Sequence, residues 1–358
     1  MRILAIDIGG RTTDILVYDN RIELENSSKF ILPSPTHYFA DEVRKTKENL
    51  VVYGRQMGGS SFARAIREHL KKYKVYMTEE AAKTIRNNLD QVTSEGVELI
   101  SEREVDRVSG RKMKIGDLEL DRIYEMLKNA FTDPDFDAIS VAVQDHGASQ
   151  TGKSDRECRF EVFREKLKTD RRIKSFAYLD DVPKEFSRMN SLLESIRQYY
   201  DKHIIIMDTG PAACLGILED VESQNKKSIM AINIGNFHTI AMSIRNNEIC
   251  GLFEHHTHLI DEVKLMNLEL KLCRAELEFE EVYKDGGHGA ISLEKIQPEV
   301  VMITGPKRNI AKNLIENSTL FKEAAPAGDP MITGCIGLVR ATESLLQGKS
   351  AVITDMPP

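Results

Sequence analysis

Cysteine is scarce and scattered. The chain of 358 residues has five: Cys158, Cys214, Cys250, Cys273 and Cys335. No two form a CxxC pair, which excludes a clustered zinc or iron–sulfur motif of the usual spacing. An odd, dispersed set reads as reduced thiols rather than a disulfide framework. Positive charge is also short. The 49 Lys and Arg against 56 Asp and Glu leave a net charge of -7, which argues against a general binder of nucleic acid or anionic membrane. Long apolar runs are missing: nothing approaches the ~20 residues that cross a bilayer. The apolar stretch from Ile3 to Ile6 is short and is broken by Asp7, unlike a secretory leader. These absences predict a cytoplasmic protein. The remainder, 41% apolar and 29% charged, is an ordinary globular balance, and the length suits about two domains.

The chain repeats itself. Ile3-Leu4-Ala5-Ile6-Asp7-Ile8-Gly9-Gly10-Arg11-Thr12-Thr13-Asp14 aligns without a gap on Ile229-Met230-Ala231-Ile232-Asn233-Ile234-Gly235-Asn236-Phe237-His238-Thr239-Ile240. Ile3, Ala5, Ile6, Ile8, Gly9 and Thr13 recur as Ile229, Ala231, Ile232, Ile234, Gly235 and Thr239, and Asn20 recurs as Asn246. Each copy reads as strand, glycine turn, strand, polar turn, strand. The first strands are almost wholly apolar, as in a sheet covered on both faces. Gly9-Gly10 and Gly235-Asn236 are expected to supply positive φ in tight hairpins. Polar residues matched at one offset inside apolar strands point to two duplicated domains facing each other.

Such hairpins have a chemistry. Consecutive backbone N–H groups in a turn make a concavity for phosphate. An acid at the end of the preceding strand can hold Mg2+ through water, since that ion prefers oxygen ligands. Asp7 has this position, and Thr12 and Thr13 add hydroxyls beside the turn.

Five segments in this order resemble the motifs shared by actin, Hsp70, hexokinase and the sugar kinases. Asp7 to Asp14 resembles the first phosphate motif, and Asp208-Thr209-Gly210-Pro211-Ala212-Ala213-Cys214-Leu215-Gly216 the first connecting helix. Asn233 to Thr239 resembles the second phosphate motif, Val300 to Ile310 the adenosine motif, and Pro330 to Ala341 the second connecting helix. The resemblance implies an α/β fold of two duplicated ribonuclease H-like, actin-like ATPase domains around a central nucleotide cleft, with ATP and Mg2+ as cofactors. It implies phosphate and adenosine contacts from Gly9, Gly10, Arg11, Thr12, Thr13, Asn233, Gly235, Asn236, His238, Thr239, Thr304, Gly305, Pro306 and Lys307, with Mg2+ at Asp7 through water. Two positions depart from the pattern: Asn233 replaces the usual Asp, and Thr304-Gly305 replaces a Gly-Gly pair.

Gln144-Asp145-His146-Gly147, Glu254-His255-His256-Thr257 and Gly286-Gly287-His288-Gly289-Ala290 resemble segments of a little-characterised archaeal and bacterial family of the same superfamily. Some of its members carry the label pyruvate formate-lyase activating enzyme. That label implies an iron–sulfur cluster on CxxxCxxC, which this sequence lacks, so the label is not adopted.

The expected layout is a first half over about 1–200, a second over about 201–340, and a helix end and tail over 341–358. A charged, mostly helical insertion is expected at about 41–131. In it, Ser60 or Ser61 would cap a helix running to Tyr73, Thr78 would open another, and Gly58-Gly59 would form a turn. Gln144, Asp145 and His146 follow the strand Asp137 to Val143, where ligands tend to bind, and also look like the substrate loop of pentulose kinases. With Glu254, His255 and His256 they are the candidate substrate groups. His256 and His258, two apart on a strand, can share a metal ion, whereas His255 and His256 cannot.

Asp7 and Asp208 are the candidate catalytic residues. Asp208, Asp14, Asp145 and His146 are all open as the base. The expected function is a Mg-dependent phosphotransferase or ATPase, with ATP and a small-molecule acceptor as partners. Nucleic acid and membrane are not expected. The alternatives are a nucleotide-dependent switch or assembly protein, with a protein partner or self-assembly, and a binding-only ATP sensor.

Overall fold

The computed structural model describes residues 1–148 and 154–354. Ser149, at the end of the Gln144 loop, and residues 355–358 of the expected tail lie outside them. β1 (Arg2–Ile8), β2 (Thr12–Asp19) and β3 (Ser28–Pro33) form an antiparallel meander. The chain then leaves for the insertion: α1 (Pro35–Lys45), β4 (Leu50–Gly54), α2 (Ser60–His69), β5 (Val75–Thr78), α3 (Glu79–Ala82), α4 (Leu89–Ser94), β6 (Glu98–Ile100) and β7 (Arg111–Ile115). It returns through α5 (Leu120–Asn129), β8 (Ala138–Val143), α6 (Asp155–Thr169), β9 (Ala177–Leu179), α7 (Ser187–Arg197), β10 (His203–Met207) and α8 (Thr209–Ile217). The strand order is β3-β2-β1-β8-β10-β9, with β8 parallel to β1 and to β10. Ile3 to Ile6, Ala138 to Val143 and Ile204 to Met207 are buried, as strands covered on both faces should be.

The second half repeats this plan with β11 (Ser228–Ile234), β12 (His238–Arg245), β13 (Glu248–His256), α9 (Glu262–Cys273), α10 (Phe279–Lys284), β14 (Gly289–Ser292), β15 (Val300–Thr304), α11 (Lys312–Asn317), β16 (Phe321–Glu323) and α12 (Thr333–Thr354). Its order is β14-β13-β12-β11-β15-β16. A three-stranded meander followed by two parallel strands is common to both sheets. The register agrees too. Asp7 faces Asp14 and Ile8 faces Thr13, as Asn233 faces Ile240 and Ile234 faces Thr239. Ile3 pairs with Ala138 as Ile229 pairs with Val300. Each hairpin closes with one bond of 2.9 Å, from Gly9 N–H to the Thr12 carbonyl and from Gly235 N–H to the His238 carbonyl. The fold is two duplicated ribonuclease H-like halves in the actin-like arrangement around a central cleft.

α8 and α12 join the halves, and their glycines permit the contact. A Cβ on Gly216 would lie 1.9 Å from the Thr333 carbonyl oxygen, and one on Gly337 would lie 1.9 Å from that of Ala212. The small residues of the two connecting-helix motifs serve this close approach.

The insertion corrects the sequence reading. It is built around a four-stranded parallel sheet, order β6-β5-β4-β7, with its own core including Val52, Phe62, Ile66, Val75 and Met77. Its strands are three to five residues long, and β7 alternates charged with apolar positions. Short alternating strands between charged helices carry little strand signal. α2 ends at His69, short of Tyr73, and Gly59 occupies its N-cap.

Candidate functional site

Both glycine hairpins, the ends of β1, β8, β11 and β15, and the start of α12 open onto a cavity of about 500 Å³ between the halves. The insertion adds Gln56–Ser60 and Lys83–Asn87 to its wall.

The hairpin glycines are needed for space, which corrects the expectation of positive φ. Gly9, Gly10 and Gly235 keep negative or extended φ. A Cβ on Gly10 would sit 2.0 Å from the Phe237 ring, so the tips of the two hairpins touch across the cleft. A Cβ on Gly235 would meet the His238 carbonyl oxygen at 2.7 Å. Gly305 does need its freedom. Its φ is +99°, and a Cβ there would lie 2.5 Å from both Asn233 Oδ1 and the Ile234 carbonyl oxygen, so no other residue lets the β15 turn approach the second hairpin so closely.

Asp7 and Asp14 stand opposite each other across β1 and β2, and both line the cavity. Oδ1 of each is buried without a hydrogen bond. Burial raises the Asp7 pKa well above the usual carboxylate range, and the charges of Asp14 and Asp208 raise it further. Burial likewise pushes Asp14 up to about 7, with a bond from Thr12 opposing and Asp329 adding to the rise. Two adjacent buried carboxylates with idle oxygens form a place for a cation. Gly334 leaves it open, since a Cβ there would lie 2.1 Å from Asp7 Oδ2.

Behind this pair, Arg159 of α6 ties the halves together. It is 1% exposed. Its Nη1 and Nη2 donate to both oxygens of Asp208 at 2.5 and 2.9 Å, Nε donates to Glu254 Oε2 at 2.9 Å, and Nη1 also donates to the Asp145 carbonyl at 2.7 Å. Burial works to raise the Glu254 pKa, but Arg159 and the nearby His288 outweigh it and hold Glu254 well below the usual range. Gln144 Nε2 donates to the other Glu254 oxygen.

Histidines gather beside Glu254. The rings of His146, His238, His256 and His288 form a cluster with centroids 4.7 to 5.6 Å apart. Burial holds His146 and His238 well below the ordinary imidazole range, and the proximity of His288 adds to this. His238 Nε2 is buried without a hydrogen bond among the described residues. Burial also lowers His256, to about 4.

Of the residues expected at the site, Asp7, Gly9, Gly10, Thr12, Asn233, Gly235, Asn236, His238, Thr304, Gly305, Pro306, Gln144, Asp145 and His146 line the cavity. Thr13 and Thr239 are buried behind the turns, and Arg11 and Lys307 are exposed outside the cavity. Asp208 needs correction as a base, because both its oxygens bond Arg159 and one also caps α8 at Gly210 N–H. Asp145 is spent similarly, accepting from the Gly147 and Met189 amides. His255 points away from the cluster and bonds Asp285 at 3.1 Å, as strand alternation requires. His258 is exposed in the turn after β13, so the His256–His258 pairing is not the one the fold favours. Gln144 and Glu254, expected on opposite walls of a substrate gap, bond each other. Sequence reasoning missed Arg159, which is one cation among several in a charged helix. It also missed His288 as a site residue, though its glycine-flanked segment marks a tight turn.

Over residues 57–310, more than half of the chain, the sequence matches the family described as "Putative pyruvate format-lyase activating enzyme (DUF1786)", and the chain belongs to that family. The CxxxCxxC motif of the iron–sulfur cluster implied by that label does not occur in this sequence. The cysteines occupy α6, α8, β13, α9 and α12, and among the described residues the one group of three or more His, Cys, Asp or Glu side chains close enough to share a metal ion is a set of histidines. No curated protein matches the chain. Solved structures similar to it include the PilM–PilN type IV pilus biogenesis complex, at 14% identity, 95% of this chain and 98% of the other, and a TM-score of 0.39. An inorganic polyphosphate/ATP-glucomannokinase from Arthrobacter sp. strain KM is 12% identical over 97% and 99%, with a TM-score of 0.38. A ROK hexokinase from Thermus thermophilus is 10% identical over 96% and 100%, with a TM-score of 0.33. The fold assignment rests on the repeated strand order and hairpins rather than on these likenesses.

Proposed function

We propose that the cleft binds Mg-ATP and that the protein transfers or hydrolyses its terminal phosphate. The observation that carries this reading is the Asp7–Asp14 pair, with idle buried oxygens, set between two hairpin tips that meet at Gly10 and Phe237. The central residues of the turns, Gly10 with Arg11 and Asn236 with Phe237, stand outside the strand ladders. Their amides are the natural donors to phosphate oxygens from either half. The turn at Gly305 would take the adenosine side.

Asp7 would hold Mg2+ through water, and the ion, when bound, would neutralise phosphate charge. Asn233, at the matching place in the second hairpin, would orient water without adding charge. With Asp208 and Asp145 occupied, Asp14 and His146, which both line the cavity, remain as the candidate general bases. An acceptor would enter from the insertion, over Gln56–Ser60 and the Gln144–His146 loop. Arg188, fixed by two bonds of 2.7 Å to Asp117, lines that approach.

The test is ATP turnover by the full chain, alone and with a pool of small hydroxyl- and carboxylate-bearing metabolites. Stimulation by one compound supports a kinase, and slow unstimulated turnover supports a nucleotide-driven switch. No turnover under any condition contradicts the proposal.

A further inference from the structure

We propose that His146, His238 and His288 form a binding site for one first-row transition-metal ion, such as Zn2+ or Fe2+, at the floor of the cleft. One ligand atom from each lies within 4.8 Å of the others. They come from distant places: the loop after β8 in the first half, the start of β12, and the turn before β14. The site exists only when the two halves are together.

Two of the three residues carry buried ring nitrogens without a hydrogen bond among the described residues. His288 is fully buried, and neither of its ring nitrogens makes a hydrogen bond among the described residues. His238 Nε2 is buried without one as well. Burying such atoms unpaired is costly, and ring packing alone returns nothing to the nitrogens. A metal ion would satisfy all three residues at once. Imidazole suits Zn, Fe, Ni or Cu, whereas Mg2+ prefers oxygen, so this site is chemically distinct from the one at Asp7.

The geometry is close to that of a bound site. Tetrahedral nitrogens about 2.0–2.1 Å from Zn2+ stand roughly 3.4 Å apart, so the farthest pair closes by no more than about 1.5 Å, within reach of side-chain rotation. An outer partner is present. Glu254 Oε1 lies 3.2 Å from His288 Nδ1, not yet aligned for a hydrogen bond, and Arg159 fixes the other Glu254 oxygen. Ligating histidines almost always have such a partner. His146 and His238 line the cavity while His288 lies behind them. An ion held by all three would keep a coordination position facing the cavity, open to water or to an acceptor oxygen.

The test needs no nucleotide, so it stands or falls apart from the ATP reading. The full chain, stripped with chelator and dialysed, is titrated with Zn2+ by calorimetry and with Co2+ by visible absorption. One ion per chain is expected. His288→Leu and His238→Ala should each weaken binding by more than about 100-fold, while His258→Ala leaves it unchanged. Should His288→Leu not fold, His238→Ala at the hairpin end decides alone. The proposal is overturned if the wild type takes up no ion at micromolar concentration, or if the folded variants bind as the wild type does.

Discussion

Asp7 and Asp14 face each other across the first hairpin, while the same two places in the second hairpin hold Asn233 and Ile240. The scaffold is duplicated, but the acid pair is present in only one copy. A cation bound at the first hairpin would leave the second to contact phosphate through neutral amides. The asymmetry gives one hairpin a carboxyl pair and leaves neutral side chains at the same places in the other.

That acid pair should be visible in the stability of the metal-free protein. Folded Asp14 keeps its proton up to about pH 7, against 3.8 for an unperturbed aspartate. Between those values the folded state binds more protons than the unfolded state. The contribution is therefore fully present below about pH 4 and lost as pH rises through 7, to a limit of about 4 kcal/mol. Melting in EDTA from pH 4 to 8 should show a fall that is smaller in Asp14→Asn. Parallel curves for the two proteins would contradict the assignment.

The Arg159 network should dominate the join between halves. Arg159→Met leaves Asp208 and Glu254 buried without their cation, which should cost about 3–5 kcal/mol in urea unfolding. Adding Asp208→Asn and Glu254→Gln should recover part of the loss, because the uncompensated charge is then gone. A loss below about 1 kcal/mol in the single variant would mean that the network relaxes into solvent.

Close approach at the helix crossing gives a separate expectation. Gly337→Ala places a methyl 1.9 Å from a backbone oxygen of α8, where no side chain can yield. The helices must part, at a cost of about 1–3 kcal/mol or more. Equal stability by denaturant titration would show that the crossing is looser than it stands here.

The repeat was legible because strand register is rigid. Asp7 and Asn233 break apolar runs at one offset, and a β-strand cannot slip by a residue without turning its core face outward. Gly305 was legible from its place at the end of an apolar strand. The hairpin glycines were identified for the wrong reason: a sequence shows that a side chain is absent, not whether φ or the Phe237 ring demands it. The insertion's sheet was hidden by strands too short to establish a period. The histidine cluster could not be read at all, because His146, His238 and His288 meet only after two sheets have folded and closed on each other.

Calorimetric titration of ATP into the wild type and Asp7→Asn, each with Mg2+ and with EDTA, tests the central claim most directly. The wild type should bind one ATP per chain, at least about tenfold more weakly without Mg2+. Folded Asp7→Asn should bind with an affinity that no longer responds to Mg2+, and its turnover should fall by on the order of 100-fold or more. No binding by the wild type, or an unchanged Mg2+ response in Asp7→Asn, would contradict the account.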